Sequence, residues 1–304
     1  MTTIEYEKKI ENENETPKNL LDLIAEKQAV FSKGHSRIAS FLVEHYDKAA
    51  YLTASKLAGI IGLSESTVVR FACELGFSGY PQLKIALEEL VKTKLTATQR
   101  VEVSQHRFFY NDKSVLKSVL QNDADRIAAT FEGIDQNTFD AVVNEIIKAE
   151  KIYIIGGRSA SPLASFFSFY LNLMVENVVN TSANPGSEVF EQIFRIGQGD
   201  LCIGLSFPRY SQKTVEAMAY AKGRDAVTVA VTDSISSPIA SIARHNLIAA
   251  SDMLSFIDSL VAPMSVINAI LVAVSLKKQD ELVHTLDKLE NIWKEFKVYS
   301  PNEE

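Results

Sequence analysis

Between Thr53 and Tyr80 the apolar positions fall three and four residues apart in two short runs with a glycine between them, which predicts two helices joined by a tight turn. The first spans Ala54 to Ile60, with Leu57, Ala58 and Ile61 as its buried stripe. Gly62 supplies the turn, and Ser64 is an N-cap whose side-chain oxygen can accept from the orphan amides of the next helix. In that helix Val68, Phe71 and Leu75 point inward. At about 3.6 residues per turn, Glu65, Ser66, Thr67 and Arg70 are then left on the outer face and leading end. Gly76 ends it. A second helix that opens on hydroxyls and an arginine has the layout of a helix-turn-helix DNA reader, in which that end meets base edges and phosphates. The same residues also suit a hairpin with no DNA role, with Ser64 only a cap, Glu65 a solvated charge and Arg70 a surface cation.

The same periodicity predicts helices over Asn19 to Ala29, Gly34 to His45 and Tyr80 to Lys94, the last with Leu83, Ile85, Leu87, Leu90 and Val91 as its apolar positions. Residues Met1 to Thr16 are charged and polar and are expected to be disordered. From Thr96 to Asp112 the periodicity breaks, and a Phe108, Phe109, Tyr110 cluster sits among polar residues; this reads as a linker whose aromatics dock on one domain. Beyond Lys113 the pattern changes. Helical segments at Ser114 to Phe131 and Thr138 to Ala149 lead into the apolar run Lys151 to Ile155, KIYII. Similar runs recur at Glu176 to Asn180, Leu201 to Leu205, Ala226 to Thr232 and Leu247 to Ala250. Apolar strands alternating with helices predict an open parallel sheet covered on both faces. A closing helix, Gln279 to Lys297, carries Leu282, Leu286, Leu289, Trp293 and Phe296 on one stripe, suited to packing or to a dimer seam. The expected organisation is a disordered tail (1–16), an all-α helix-turn-helix domain (17–95), a linker (96–112), and an α/β domain (113–304) with a parallel five-stranded sheet flanked by helices.

Composition narrows the classes. With 304 residues, 46% hydrophobic and 23% charged, the chain fits an ordinary globular protein of about two domains. No run approaches the roughly 18 apolar residues of a membrane span, and the acidic, polar start has no signal-peptide pattern, so a cytoplasmic protein is expected. The two cysteines, Cys73 in a helix and Cys202 in a strand, read as small buried hydrophobes rather than a disulfide or metal site. A net charge of −7 argues at first against nucleic acid, whose affinity rests on cations neutralising phosphates. The acidic excess, however, lies outside Thr16 to Leu95, where Lys and Arg outnumber Asp and Glu 10 to 8. So weak a basic balance implies that specific binding needs two modules presented together to paired half-sites.

The segment Ser64 to Tyr80, SESTVVRFACELGFSGY, resembles the DNA-binding segment of the RpiR/MurR family of bacterial transcription regulators, which reads S-x-x-T-V-x-R-F-x-x-x-L-G-x-x-G-[FY]. Every fixed position is present, and the resemblance runs from Asn19 to Lys94. It implies a double-stranded DNA partner with an inverted-repeat operator and a homodimer or homotetramer. It places the candidate DNA contacts at Ser64, Glu65, Ser66, Thr67, Arg70, Ser78, Tyr80 and Lys84.

In open α/β sheets ligands bind beyond the carboxyl ends of the strands. Three turns there are rich in anion donors. Gly156, Gly157, Arg158, Ser159, Ala160 and Ser161 follow KIYII and precede a helix, where backbone amides face an anion. A dinucleotide site is rejected, because the third glycine is missing and no acidic residue ends the next strand near Val179. The second turn runs Ser206, Phe207, Pro208, Arg209, Tyr210, Ser211, and the third carries Thr232, Asp233, Ser234, Ser237 and Pro238. The three converge if their strands are neighbours, although each serine also suits a plain helix cap.

Residues Lys151 to Ala250 are similar to the SIS, or sugar isomerase, domain that follows the DNA-binding module in this family and binds phosphorylated sugars. Typical members read G-x-G-x-S after the first strand and S-x-S-G-x-T after the third. Here Gly156 matches, Arg158 replaces the second glycine and Ala160 the serine, with hydroxyls at Ser159 and Ser161 instead. Ser206 and Ser211 match the outer hydroxyls of the second motif, while Pro208 and Arg209 replace its centre. Pro208 offers no donor, whereas two guanidinium groups are gained, so the expected effector is an anionic sugar derivative: a sugar acid or a doubly phosphorylated sugar. No cofactor or metal is expected. The candidate ligand contacts are Gly156, Arg158, Ser159, Ser161, Ser206, Arg209, Ser211 and Glu188; the enzyme alternative is an aldose–ketose isomerase with the same Glu188, in Pro185-Gly186-Ser187-Glu188, as base, with Glu191 next and His245, ahead of the strand LIAA, a weaker candidate. A third reading is a ligand-binding scaffold whose N-terminal hairpin makes dimer contacts.

Overall fold

The computed structural model describes residues 20–102, 114–181 and 188–299 and divides into two units, Met1–Asp112 and Lys113–Glu304. The first unit is helical. Helix α1 (Leu20–Lys27) runs into a 3-10 turn, Gln28–Val30, and α2 (Lys33–Ala49) comes next behind a Ser32 cap. Helix α2 extends past the expected end at His45, where one residue departs from helical geometry without ending the helix. Helices α3 (Ala54–Ile61), α4 (Glu65–Leu75) and α5 (Tyr80–Lys94) complete the bundle.

The buried stripes follow the spacing except at Ile85 of α5, which is exposed. Leu57, Ala58 and Ile61 of α3 and Val68, Phe71 and Leu75 of α4 are all buried, joined by Ile38 and Leu42 of α2 and by Leu83 and Leu87 of α5. Phe71 is the centre of the packing, with the Phe31 ring 5.3 Å and the His35 ring 5.6 Å from its own. Gly62 (φ 69°) and Gly76 (φ 103°) end α3 and α4 in the left-handed region, which glycine enters without the penalty a Cβ carries.

Two expectations do not hold. Residues 97–102 of the expected linker are helical. A capping box starts them: Gln99 N donates to Thr96 Oγ1 at 3.3 Å and Thr96 N to Gln99 Oε1 at 3.0 Å. Cys73, expected to be buried, is exposed; Cys202 is buried, as expected. The expected tail and the Phe108 to Tyr110 cluster lie outside the described residues.

The second unit opens with α6 (Val115–Gly133) and α7 (Gln136–Lys148). Strand β1 (Ile152–Gly156), α8 (Ser161–Leu171), β2 (Val178–Asn180), α9 (Val189–Ile193), β3 (Leu201–Leu205), α10 (Gln212–Gly223), β4 (Val227–Thr232) and β5 (His245–Ile248) build a parallel sheet in the order β2-β1-β3-β4-β5. The register pairs Ile152 with Leu201 and Leu201 with Val227. Helices α11 (Val261–Lys277) and α12 (Gln279–Glu295) close the unit.

Strand alternation divides the core in two. Ile152 and Ile154 pack with Phe167 of α8, Ile146 of α7 and Ile270 of α11, while Tyr153, Ile155 and Cys202 face Ala217 and Met218 of α10. Burial pushes the Cys202 thiol up to about 12. At about pH 8 iodoacetamide is therefore expected to label Cys73 and spare Cys202 until the protein unfolds. Mass spectrometry reads this directly, and native labelling of Cys202 at the rate of Cys73 would refute a closed strand.

Candidate DNA-reading surface and effector site

The leading end of α4 carries a cluster of hydroxyls. Ser64 Oγ accepts from Thr67 N at 3.3 Å and lies 2.7 Å from Thr67 Oγ1 and 2.9 Å from Ser66 Oγ. Glu65 and Ser66 are exposed beside it, and exposed Arg70 donates from Nε to Ser66 O at 3.3 Å, which lays its stem along the outer face. These five residues form one continuous surface on the first two turns of α4. The other three candidates lie beyond the C-terminal end of α4. Ser78 is exposed, its amide donating to Gln82 Oε1 at 2.8 Å, and Lys84 sits on α5 with Nζ 3.8 Å from Glu88 Oε1. Tyr80 is buried; its hydroxyl donates to Leu52 O at 3.0 Å, and desolvation raises its pKa. The structure gives Tyr80 a bracing role between α5 and the loop before α3, not a place on the outer face.

In the second unit the strand order changes direction between β1 and β3, since β2 lies to one side of β1 and β3 to the other. Such a switch point leaves a crevice at the carboxyl edge. The loops after β1, β3 and β4 meet there, as their neighbouring strands require. Gly157 lies so close to the loop after β3 that a Cβ on it would stand 2.5 Å from Ser211 Oγ and 3.2 Å from Thr214 Oγ1. Tyr210 OH donates to Asp233 Oδ1 at 3.0 Å, and Thr232 Oγ1 donates to Ser206 O at 2.7 Å, which joins the loops after β3 and β4.

The hydroxyls divide by role. Ser206 is buried and its Oγ accepts from Ser211 N at 3.3 Å; Ser211 caps α10, its Oγ accepting from Thr214 N at 3.4 Å. Ser159 is exposed and Ser161 half-buried at the start of α8, whose second residue is Pro162. Two helix N-termini, of α8 and α10, therefore face the crevice together with Gly156 at the end of β1.

Arg158 and Arg209 are exposed on the first and second loops. Arg158 has φ 55°, the left-handed conformation that costs a residue with a Cβ on the order of 1 kcal/mol. This is the position where the resembling motif has its second glycine, and the left-handed backbone here is one that glycine adopts without the Cβ penalty.

Glu188 is also exposed, and its Oε2 lies 3.1 Å from Lys213 Nζ in the first turn of α10. An ammonium group thus engages the carboxylate with the best claim to act as base, while residues 182–187 before it lie outside the described residues. Glu191 is exposed in the first turn of α9. His245 stands elsewhere than expected: it is the first residue of β5, not ahead of the strand, and so sits at the amino edge of the sheet, about 10 Å from Ile248 at the other end. Its Nε2 lies 4.0 Å from Glu145 Oε1 on α7, away from the crevice. Sequence reading did not single out Gly157, Lys213 or the Tyr210–Asp233 pair. The first of these had a signal, a doubled glycine at a strand end; the others required knowledge of which loops touch.

Both units resemble known proteins. Residues 18–94 match the model of the helix-turn-helix domain, rpiR family, and residues 145–273 that of the SIS domain. The HTH-type transcriptional regulator HexR of Pseudomonas aeruginosa is 28% identical over 228 residues, 73% of this chain and 76% of that protein. An uncharacterized HTH-type transcriptional regulator of Caldanaerobacter subterraneus is 22% identical over 278 residues, covering 90% of this chain and 96% of its own length. The Vibrio vulnificus NanR protein, solved in complex with ManNAc-6P, superposes with a TM-score of 0.56 at 20% identity over 91% of this chain and 99% of its own. With both domain models matched in this order, one on each unit, the chain belongs to the RpiR family of helix-turn-helix transcription regulators that carry a SIS domain.

Proposed function

We propose that this regulator's operator binding is modulated by an anionic sugar derivative, a phosphosugar or sugar acid, held at the crevice between β1 and β3. The observation that carries the reading is Arg158: an exposed arginine kept in a left-handed conformation at a loop that, together with two helix N-termini, borders the crevice. A costly backbone at a binding loop is retained when the side chain does something glycine cannot. NanR's complex with ManNAc-6P supports the sugar-phosphate class. Gly156, Ser159, Ser161, Ser206 and Ser211 supply neutral donors and the helix ends, while Arg158 and Arg209 pair bidentately with phosphate or carboxylate.

Effector and operator are linked through assembly. Two copies present their α4 helices to an inverted repeat, and an effector that favours one arrangement of the pair changes DNA affinity by the same factor as DNA changes effector affinity. The working form is a homodimer or homotetramer acting on DNA in the cytoplasm. The chain acts as a regulator rather than an isomerase: Glu188 is drawn into an ion pair with Lys213, and His245 lies at the opposite edge of the sheet from the crevice.

Random duplex DNA retained by the protein at physiological salt should be enriched in an inverted repeat. With that operator as probe, calorimetry should find sugar acids and phosphosugars binding more tightly than neutral hexoses. Arg158→Gly is expected to raise thermal stability slightly, by relief of on the order of 1 kcal/mol, while weakening the anionic ligand most. Turnover of a sugar phosphate, or tighter binding by neutral sugars, would refute the reading.

A further inference from the structure

We infer that Lys33 and Arg37, on a helix outside the helix-turn-helix itself, contact the DNA backbone beside the recognition helix; the inference rests on α4 being that helix. The first turn of α2 lies against the leading end of α4. A Cβ on Gly34 would stand 3.6 Å from Thr67 Cγ2 and 3.9 Å from Leu63 Cδ2, so this part of α2 borders both the turn and the end of α4 that enters a groove. Arg37, one helical turn on, donates from Nη2 to Ile61 O at the end of α3, and the same nitrogen is 3.6 Å from where a Gly62 Cβ would be. Its guanidinium therefore lies over the turn. Among the described residues Ile61 O is its one acceptor, so the rest of its fork of donors is available to an outside anion. Both side chains are exposed, and they are spaced i, i+4 on one face of α2.

The geometry of a groove gives these cations their target. A helix with its side chains is roughly 10–12 Å across and the major groove about 12 Å wide, so whatever flanks the leading turn of α4 meets the phosphate walls and not the bases. Charge makes the position count. Lys and Arg exceed Asp and Glu only 10 to 8 from Thr16 to Leu95, and two of these cations have other engagements. Lys27 donates to Glu74 O, and Lys84 faces Glu88. A unit so nearly neutral gains backbone affinity only where its remaining cations stand in register with phosphates.

The test is the salt dependence of binding by the full-length protein to the enriched operator and to a mismatched duplex. Lys33→Gln and Arg37→Gln should each reduce the slope of log K against log[salt] by about 0.9 for every phosphate no longer neutralised, and lower affinity for both duplexes alike. Arg37→Lys should keep the slope. Lys33 is exposed in the first turn of α2, and among the described residues no hydrogen bond or ion pair holds its side chain, so Lys33→Gln decides the matter even if Arg37→Gln loosens the turn; a wild-type slope in Lys33→Gln overturns the inference. Arg70→Ala is the control for the underlying reading. Loss of sequence preference in Arg70→Ala with unchanged slopes in the other two rejects the backbone contact alone, whereas no change in any of them rejects α4 as the recognition helix as well.

Discussion

Gly157→Ala is expected to abolish effector binding in a protein that still folds and still binds its operator. The added Cβ would stand 2.5 Å from Ser211 Oγ, 2.9 Å from Ser211 Cβ and 3.2 Å from Thr214 Oγ1. Gly157 has φ −89°, which any residue can adopt, so the whole cost is this collision. Relief requires the loops after β1 and β3 to part at the switch point, and overpacking of this kind costs about 1–3 kcal/mol. Ser211→Ala in the same chain leaves the 2.9 Å clash in place, whereas Ser211→Gly removes both atoms and should recover part of the lost thermal stability. Calorimetry with the effector and thermal unfolding read the two effects separately. Wild-type effector affinity in Gly157→Ala would show that the ligand does not sit between these loops.

Arg70→Ala is expected to cost about 1–3 kcal/mol of operator discrimination, roughly a 5- to 150-fold loss, if the guanidinium reads a base edge. Fold stability should hardly change. Arg70 is exposed, and the partner its Nε has is Ser66 O of its own helix. Arg70→Lys separates charge from geometry: it keeps attraction to DNA in general and loses bidentate recognition, so its deficit should appear on the operator and not on mismatched DNA. Competition binding with labelled operator measures both. If instead the hairpin only joined subunits, Arg70→Ala would change oligomeric state, or nothing, and leave DNA discrimination intact.

Helix ends were legible in the sequence because their chemistry is local. Ser64 caps α4, and Gly62 and Gly76 end α3 and α4, each as its local pattern predicts; the Asp135 cap of α7, its carboxylate held below the usual range by the Thr138 amide, was not read, and that helix starts at Gln136 rather than Thr138. The helix over 97–102, read as linker, had the same kind of signal, a Thr96 to Gln99 capping box, hidden because its apolar periodicity is weak. Cys73 shows the opposite error, since a small apolar residue in an amphipathic helix can fall on either face.

Taken alone, the chain determined its two-unit organisation, the helix-turn-helix pair, the parallel α/β class and the residue types at three strand ends, since periodicity, capping and turn preference act over a few neighbouring residues. Tertiary structure decided what depends on residues far apart in the chain. Strand order set β1 beside β3 and so brought Gly157 against Ser211; packing of α5 turned Tyr80 inward onto Leu52; register put His245 at the far edge of the sheet. The left-handed backbone at Arg158 belongs to this second group, because only a loop held at both ends by a strand and a helix can impose on an arginine a conformation its own sterics resist.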